Sequence, residues 1–546
     1  MKKAKERRPM GRRAKPAENG AKHAERKMVD RRALAILALA LIIAVAYAAK
    51  FYVGVSAAGD DVAYSNYAHF VLSGGFRQSS GDSLSIRIMQ YYPIAFFYLI
   101  SNNSYYAGAA WDIVAYVSTV VIVFFIGKEL YNEFAGAIAS IILALFPTVM
   151  IFSTTMSDNP PVMFFAAIAM LFLLYGTRRR IGSWYAISGV SVIAAIAVMP
   201  LGLMALAISL FYIMVEYLRK RLDRNVLMFF VGLLIGLAIL SSFNYANAGK
   251  PFITFTATFN YFQNIGGPNH ISPANNYLLF YFDTMFPYHI VKALYNSVSS
   301  GGHNTGSIWA MVFAPNYNVV GFYFYVAVFA MLYLLYKRDK RAYFAFFWFA
   351  AGFLLMEFDP VHFTFSPFTY ILQHRLDRYL TFIEPPVALL MSMAMVRFVE
   401  STRKANARNV RMLIVGAVML FLFLTEIPVV SLSHNTLALE GRYELNTAKY
   451  LETLPNTTEI YVINNVGGFL PTYMKFDNFS RFSSPGTVNC SQLDPDSYVV
   501  VQTVSQYNAD TCPSWQLVYY TVANTTFKQD VTGPATPFEL NVYHNG

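Results

Sequence analysis

The sequence is poor in charged residues. Only 13% of its 546 residues are charged and 56% are hydrophobic, whereas soluble domains carry about 25% charged residues. This composition excludes an ordinary soluble enzyme and predicts a polytopic α-helical membrane protein.

The few charges are unevenly spread. Residues 1–32 hold thirteen Lys/Arg and four Asp/Glu, which accounts for +9 of the net charge of +11. No aromatic residue lies among them, so we interpret this segment as a basic cytoplasmic tail that contacts membrane lipids, and nucleic acid is not an expected partner. The first apolar run is expected to be a retained anchor and not a cleaved signal.

Cysteine and metal-ligand patterns are also scarce. Cys490 and Cys512 are the two cysteines, and they are either free thiols or, on an oxidising side of the membrane, a disulfide. No His, Cys, Asp and Glu residues have metal-ligand spacing, so no metal site is predicted, although the carboxylates leave a divalent cation open. No P-loop or glycine-rich nucleotide motif follows a predicted strand, and no nucleotide cofactor is expected.

Long apolar runs are present instead. Runs of about 17–25 residues predict membrane spans. Eleven are predicted, near 33–50, 107–127, 134–152, 160–177, 182–199, 201–217, 226–243, 318–336, 343–357, 380–396 and 411–430.

Charge in the connections predicts the orientation. Lys/Arg residues collect near 128, 178–180, 219–224, 337–341 and 397–411, whereas segment 244–317 has only Lys250 and Lys292. The positive-inside rule therefore places the N-terminus in the cytoplasm and segments 51–106, 153–159, 244–317, 358–379 and 431–546 outside.

The C-terminal region 431–546 differs in composition. It is polar, and the segments 458–464, 497–503, 516–522 and 538–544 read as strands, with a helix over 445–454. We predict a small extracytoplasmic α/β domain. The glycosylation motif N-x-Ser/Thr occurs on the predicted outer side at Asn102, Asn456, Asn478, Asn489 and Asn524, which supports this side and favours the disulfide between Cys490 and Cys512.

Distinctive acids and bases gather on this same outer side. They are Asp60, Asp61, Arg77, Arg87, Asp158, Lys250, Arg375 and Arg378. Acids in the hydrocarbon core cost about 2.5–3.5 kcal/mol on insertion scales, so membrane-embedded acids are few and usually functional.

Each of these residues also has a structural interpretation. Asp60 or Asp158 would cap a following helix, and Arg375 and Arg378 would extend to the membrane interface. Adjacent Asp60 and Asp61 diverge by about 100° on a helix, so they do not share a proton as a protease dyad does. Two separate tasks, or one task and one cap, are expected.

Several motifs resemble those of the GT-C fold glycosyltransferases that use polyprenyl-phosphate sugars, such as protein O-mannosyltransferases and the aminoarabinose transferase of lipid A. "GDDVAYSNYAHFVLSGG" resembles their first outer loop, with Asp60 at the first acid and Asp61 in place of the usual Glu. "SDNPPVMFF" resembles the second loop, with Asp158 at its acid. "FNYANAGKPF" and "RYLTFIEPPVALL" are similar to the long-loop and late-span elements.

The resemblance covers about residues 33–430 and has two departures. A Lys-Pro-Pro element of the aminoarabinose transferases is replaced by "RIMQYYP" (87–93), where Arg87 stands nearby. The Trp-Trp-Asp-Tyr-Gly motif of oligosaccharyltransferase subunits does not occur.

The resemblance implies a function. A single sugar, with mannose as the leading candidate, moves from a polyprenyl or dolichyl monophosphate to a hydroxyl of a glycan, protein or lipid acceptor outside the membrane. Asp60 would act as general base and give inversion, Asp61 and Asp158 would orient the acceptor or a cation, and Arg378, Arg375, Arg87 and Lys250 would bind the donor phosphate. The membrane would be an archaeal or bacterial plasma membrane or the endoplasmic reticulum. The alternatives are a polytopic transporter or lipid flippase, or a non-catalytic scaffold with the same fold.

Overall fold

The computed structural model describes most of the chain. The described residues are 30–55, 60–102, 105–220, 222–265, 281–282, 285, 322–358, 360–365, 368–372, 377–402, 404–455, 457–463, 482–483, 493–503, 512, 514–522 and 539–545.

Helices dominate this part of the chain. In chain order they are α1 (Arg31–Lys50), α2 (Asp60–Ser73), α3 (Ile88–Ile100), α4 (Ala110–Leu130), α5 (Glu133–Ala144), α6 (Pro147–Thr154), α7 (Asn159–Arg179), α8 (Gly182–Val198), α9 (Gly202–Leu218), α10 (Leu227–Ala248), α11 (Ile253–Ile265), α12 (Tyr323–Tyr336), α13 (Tyr343–Phe358), α14 (Glu384–Glu400) and α15 (Ala405–Glu452).

The polytopic membrane architecture predicted from the sequence is confirmed, and all eleven predicted runs are largely helical. Within the described ranges, seven helices are long and apolar enough to cross a membrane, or eight if the bent pair α5 and α6 forms one span. The predicted count of eleven is therefore not confirmed. The span predicted over 134–152 is broken before Pro147, where the helix axis bends by 58°, because a proline favours the start of a new helix.

The last helix is longer than predicted. It runs without a break over 48 residues from Ala405 to Glu452, about 70 Å at 1.5 Å per residue. The domain boundary predicted at 431 falls inside it, and the helix predicted over 445–454 is its final part.

A small sheet follows, and the predicted C-terminal α/β unit is confirmed. The strands β3 (Ile460–Ile463), β4 (Phe482–Ser483), β5 (Tyr498–Thr503), β6 (Trp515–Val522) and β7 (Glu539–Asn545) lie in the order β4-β3-β5-β7-β6. β3 is parallel to β4 and β5, whereas β7 is antiparallel to β5 and β6. The end of α15 packs on the sheet through Ala448 and Leu451, which contact a core that includes Ile460, Val462 and Val500.

A two-stranded hairpin in the predicted outer segment 358–379 was not predicted. It pairs β1 (Pro360–Phe365) with β2 (Phe368–Leu372) in antiparallel register, and it precedes the 3-10 helix Asp377–Ile383.

Small residues allow helices α4 and α5 to cross closely. A Cβ atom on Gly136 would lie 2.3 Å from the Phe124 carbonyl oxygen, and one on Gly127 would lie 2.6 Å from the Gly136 Cα atom. Both neighbours are backbone and cannot move aside, so these glycines set the interhelical distance.

We expect Gly136→Ala to lower the thermal unfolding midpoint of the purified protein in detergent. The steric clash with backbone should cost about 1–3 kcal/mol or more. Gly416→Ala is the matched control, because nothing lies within 4 Å of its Cβ position. Tryptophan fluorescence measures both midpoints, and equal values for the two variants would contradict the packing role.

Candidate active site

Two loops meet at one end of the helix bundle. The backbone N–H groups of Val53 and Gly54 donate to the Thr154 carbonyl oxygen at 3.0 and 3.1 Å, and Met156 N–H donates to the Gly54 carbonyl oxygen at 2.9 Å. These bonds join the chain after α1 to the chain before α7. The segments that precede Asp60 and Asp158 in the chain are thereby held together.

The adjacent acids occupy the first turn of α2, where the helix dipole favours negative charge. Their side chains diverge as expected. Asp60 faces two arginines, Arg87 and Arg378, whereas Asp61 is buried and lies close enough to Asp112 to interact with it electrostatically.

Asp158 pairs with Arg87 in the interior. The Arg87 guanidinium, at the residue before α3, donates to the Asp158 carboxylate and to the Tyr64 hydroxyl. Tyr64 in turn donates to the same Asp158 oxygen at 2.9 Å. Asp158 is 1% exposed and Arg87 7% exposed. The side chain of Asp158 makes no capping hydrogen bond to α7, although the residue stands at the cap position.

Arg378 reaches the same place from the late part of the chain. It lies in the 3-10 helix before α14, and its Nη2 donates to an Asp60 carboxylate oxygen at 3.1 Å. The same Asp60 oxygen is 3.9 Å from Arg87 Nη1. Four residues from distant parts of the sequence, Asp60, Arg87, Asp158 and Arg378, thus form one ion cluster.

A buried polar layer supports this ion cluster. Gln90 Nε2 donates to the Asp112 carboxylate at 3.3 Å and to the Ser157 carbonyl oxygen at 3.2 Å. Gln90 and Asp112 are fully buried. The layer connects α3 and α4 to the loop that carries Asp158, which fixes the position of that carboxylate.

The ion cluster contains two arginines and two aspartates, so its formal charge is zero. Burial alone would lower the pKa of Arg87, but the Tyr64 oxygen and the carboxylates of Asp158 and Asp60 outweigh burial and raise it. Arg87 therefore stays protonated. Its Nε–H is buried and has no hydrogen-bond partner among the residues described.

The other predicted site residues fall elsewhere. Lys250 is exposed just after α10 and makes no ion pair within the described ranges. Asn102 is exposed, and Cys512 is buried and disulfide-bonded. Several predictions lie outside the described residues, namely Arg375, Cys490, Asn456, Asn478, Asn489 and Asn524.

Sequence reasoning missed Tyr64, Tyr379, Gln90 and Asp112. Tyr64 follows Asp60 by four residues, a spacing that places both on one helix face, so it was accessible to inspection. Asp112 was also accessible, as an acid inside a predicted span. Tyr379 carries no such signal beyond its place next to Arg378, whose guanidinium lies 5.7 Å from its ring centre.

No metal centre is indicated in the part of the chain that the structure describes. There, no three His, Cys, Asp or Glu side chains are grouped to hold an ion. The carboxylates of Asp60 and Asp158 contact arginines instead.

The fold is that of the GT-C glycosyltransferases, which confirms the resemblance at the level of the fold. A family model described as dolichyl-phosphate-mannose-protein mannosyltransferase matches residues 87–245, a segment that contains Arg87 and Asp158. Together the fold and this match support a membrane glycosyltransferase.

Three solved structures illustrate the likeness. Apo ArnT from Cupriavidus metallidurans has a TM-score of 0.54 at 12% identity, with 94% of this chain and 97% of that chain covered. The same enzyme bound to undecaprenyl phosphate has a TM-score of 0.52 at 12% identity, with 94% of this chain and 98% of that chain covered. The third is the oligosaccharyltransferase AglB from Archaeoglobus fulgidus in complex with an inhibitory peptide and a dolichol-phosphate. It has a TM-score of 0.50 at 11% identity, with 86% of this chain and 69% of that chain covered. No curated protein matches the sequence.

The helix that carries Asp60 also predicts a pH dependence of stability. His69 on α2 is buried, its ring stacks on Tyr98 at 4.5 Å, and burial lowers its pKa from 6.5 to about 4. Because the folded pKa lies below the unfolded one, the unfolded state binds the proton first, and stability falls as the pH falls from about 6.5 towards 4.

We expect His69 to contribute a loss of about 2 kcal/mol between pH 8 and pH 5. Thermal unfolding midpoints at both pH values, for wild type and His69→Gln, measure this contribution. The variant should be less stable at pH 8 but should lose less stability on acidification. If the difference in unfolding midpoint between wild type and variant is the same at both pH values, the contribution assigned to His69 is wrong.

Proposed function

We propose that the protein is a membrane glycosyltransferase that moves one sugar from a polyprenyl or dolichyl monophosphate to a hydroxyl acceptor on the extracytoplasmic face. The observation that carries this proposal is the ion cluster, in which two arginines and two aspartates from four distant segments meet at one end of the bundle. A base and a phosphate-binding pair at adjacent positions are what this transfer requires.

Asp60 is the base in this proposal. The acceptor oxygen attacks the anomeric carbon, its proton passes to the Asp60 carboxylate, and the bond from the anomeric carbon to the phosphate oxygen breaks. A single displacement from the opposite face inverts the anomeric centre. Asp60 is the most accessible of the acids on this helix end, with 28% of its side chain exposed, whereas Asp61 is buried.

The arginines stabilise the leaving group. The electron pair of the broken bond stays on the lipid phosphate, whose negative charge increases as the bond breaks. Two guanidinium groups beside it offset this charge and fit phosphate oxygens by paired hydrogen bonds. Phosphate binding at Arg378 would compete with its 3.1 Å contact to Asp60, and this exchange would release the carboxylate for the acceptor proton.

Asp158 and Tyr64 act on Arg87. Both contact the guanidinium directly and both are fully buried. We assign them a positioning role, because a buried carboxylate that is already paired is poorly placed to accept a proton from an acceptor. Asp61 has a separate task, the support of the buried layer around Asp112.

The donor sugar is proposed to be a hexose, with mannose first, since the matching family model is described as a mannosyltransferase. ArnT and AglB are described with undecaprenyl phosphate and dolichol-phosphate respectively, which supports a lipid-phosphate donor here. The acceptor is a glycan, protein or lipid. The N-terminus is proposed to be cytoplasmic and the C-terminal sheet outside, in an archaeal or bacterial plasma membrane or in the endoplasmic reticulum. A transporter would instead move solute without breaking the sugar–phosphate bond.

We expect Asp60→Asn to lower sugar transfer at least 100-fold, because general-base catalysis typically contributes about 10²–10⁴-fold. Membranes containing the protein are supplied with dolichyl phosphate mannose labelled in the sugar, and label in acceptors is counted. Binding of the donor should be retained. Near-normal turnover would refute the base assignment.

The matched control is Asp496→Asn. This acid lies before β5, its side chain is 91% exposed, and its φ of 62° is one that asparagine tolerates. Its transfer rate should equal that of wild type. Label that crosses the membrane as free solute, with none in acceptors, would favour the transporter alternative.

We expect Arg378→Ala to reduce transfer about 10²–10³-fold, the usual effect of removing one donor that stabilises a developing charge. The affinity for the donor should also fall. Arg378→Lys should restore part of the activity, because lysine keeps the charge but loses the planar fork. Unchanged affinity and unchanged rate in the alanine variant would remove Arg378 from the phosphate site.

A further inference from the structure

A second charged cavity lies at the opposite end of the bundle. It has a volume of about 630 Å³ and opens between the final turns of α4, α7 and α9 and the first turns of α13. Asp158 precedes the first turn of α7 and Arg178 lies in its last turn, so the cavity is about 30 Å from the ion cluster. It cannot belong to the proposed donor site.

The cavity is strongly basic. Among the described residues, six basic side chains line it, with Glu216 as the single acid. The six are Arg178, Arg180, Arg219, Lys220, Lys340 and Arg341. Their excess of positive charge predicts an anionic ligand.

Half of these cations are already neutralised. Three are ion-paired at 2.8–3.7 Å: Arg178 with Glu129, Arg219 with Glu216, and Arg341 with Asp339. The remaining three, Arg180, Lys220 and Lys340, are exposed and have no carboxylate partner among the described residues. Three uncompensated cations around one cavity match the charge and the several oxygens of a phosphate group.

Part of the cavity wall is apolar and aromatic. Leu174, Val215, Tyr212, Phe344 and Phe347 line it, and Tyr212 packs edge-on against Phe344 at 5.0 Å between ring centres. A freely soluble anion makes no use of such walls. A lipid does, because its headgroup phosphate is followed by acyl chains.

We propose that this cavity binds the phosphate headgroup of an anionic phospholipid. The phosphate lies among Arg180, Lys220 and Lys340, and the upper part of the acyl chains contacts Tyr212 and Phe347. The charge pattern of the sequence predicts this end of the bundle to be cytoplasmic, the face where basic pockets between membrane helices bind anionic lipids. The inference does not depend on the proposed catalytic function.

The test uses the full-length protein with three neutralising substitutions, Arg180→Asn, Lys220→Asn and Lys340→Gln. Arg180 and Lys220 have φ values of 57° and 55°, and asparagine is the side chain that best tolerates this conformation. Purified protein is titrated with phosphatidylglycerol in detergent, and bound lipid is counted by native mass spectrometry. We expect at least a tenfold loss of affinity.

A control variant removes the same number of charges from the same end of the bundle. Lys337→Gln, Arg224→Gln and Lys404→Gln lie outside the cavity lining, and together they should leave phosphatidylglycerol affinity within about twofold of wild type. An equal loss in both variants would show that general surface charge retains the lipid, and would overturn the proposal.

Two further arms complete the test. Inorganic phosphate should displace phosphatidylglycerol only at concentrations at least 100-fold above those of the lipid. Displacement at equal concentrations would assign the cavity to a soluble phosphate and overturn the lipid assignment.

The single variant Lys340→Gln, at an exposed position, separates folding from binding. We expect about a threefold loss of affinity for phosphatidylglycerol and an unchanged unfolding midpoint in phosphatidylcholine. An unchanged affinity would contradict the proposal.

Discussion

The buried contact between Arg87 and Asp158 is the constraint on which the candidate active site depends. Removing either partner of such a pair leaves an uncompensated buried charge and costs about 3–5 kcal/mol. Each charge of the pair compensates the other in the interior, and the Tyr64 hydroxyl forms a hydrogen bond with both side chains. This contact joins the start of α3 to the start of α7 and fixes the Arg87 guanidinium. Asp60 lies beside this guanidinium, and Arg378 contacts Asp60 in turn.

Apolar run length located helices at the predicted spans, but it gave neither the number of helices that cross the membrane nor their interruptions. The run over 134–152 satisfied the length criterion, yet Pro147 starts a second helix at a 58° angle. The opposite failure occurred at α15, where the polar residues after 430 were interpreted as a boundary. The backbone hydrogen bonds of a helix do not require apolar side chains, so α15 continues until its last turns pack on the C-terminal sheet.

The site was only partly predictable because local sequence cannot distinguish a helix cap from a functional acid. Asp158 stands at a cap position before two prolines, and both interpretations were open. In the fold, Arg87 contacts the Asp158 carboxylate, and this side chain makes no capping hydrogen bond to α7. Tyr64 and Asp112 carried weaker signals of spacing and location, and the 318-residue separation of Asp60 from Arg378 lies beyond any pattern in one segment.

The continuity of α15 has a mechanical consequence. His434 on this helix contacts the Phe51 carbonyl oxygen at 2.9 Å, and Val430 packs with Phe51 and Met150 beside the loop that leads to Asp60. Because α15 is continuous from these contacts to the sheet, the sheet is attached through a helix and not through a flexible linker. A displacement of the sheet would therefore reach the segment around Phe51 as a tilt of the helix, and Pro428 is the position inside the helix where bending is easiest. The position of the C-terminal sheet is thereby linked to the segment around Phe51 through one continuous helix.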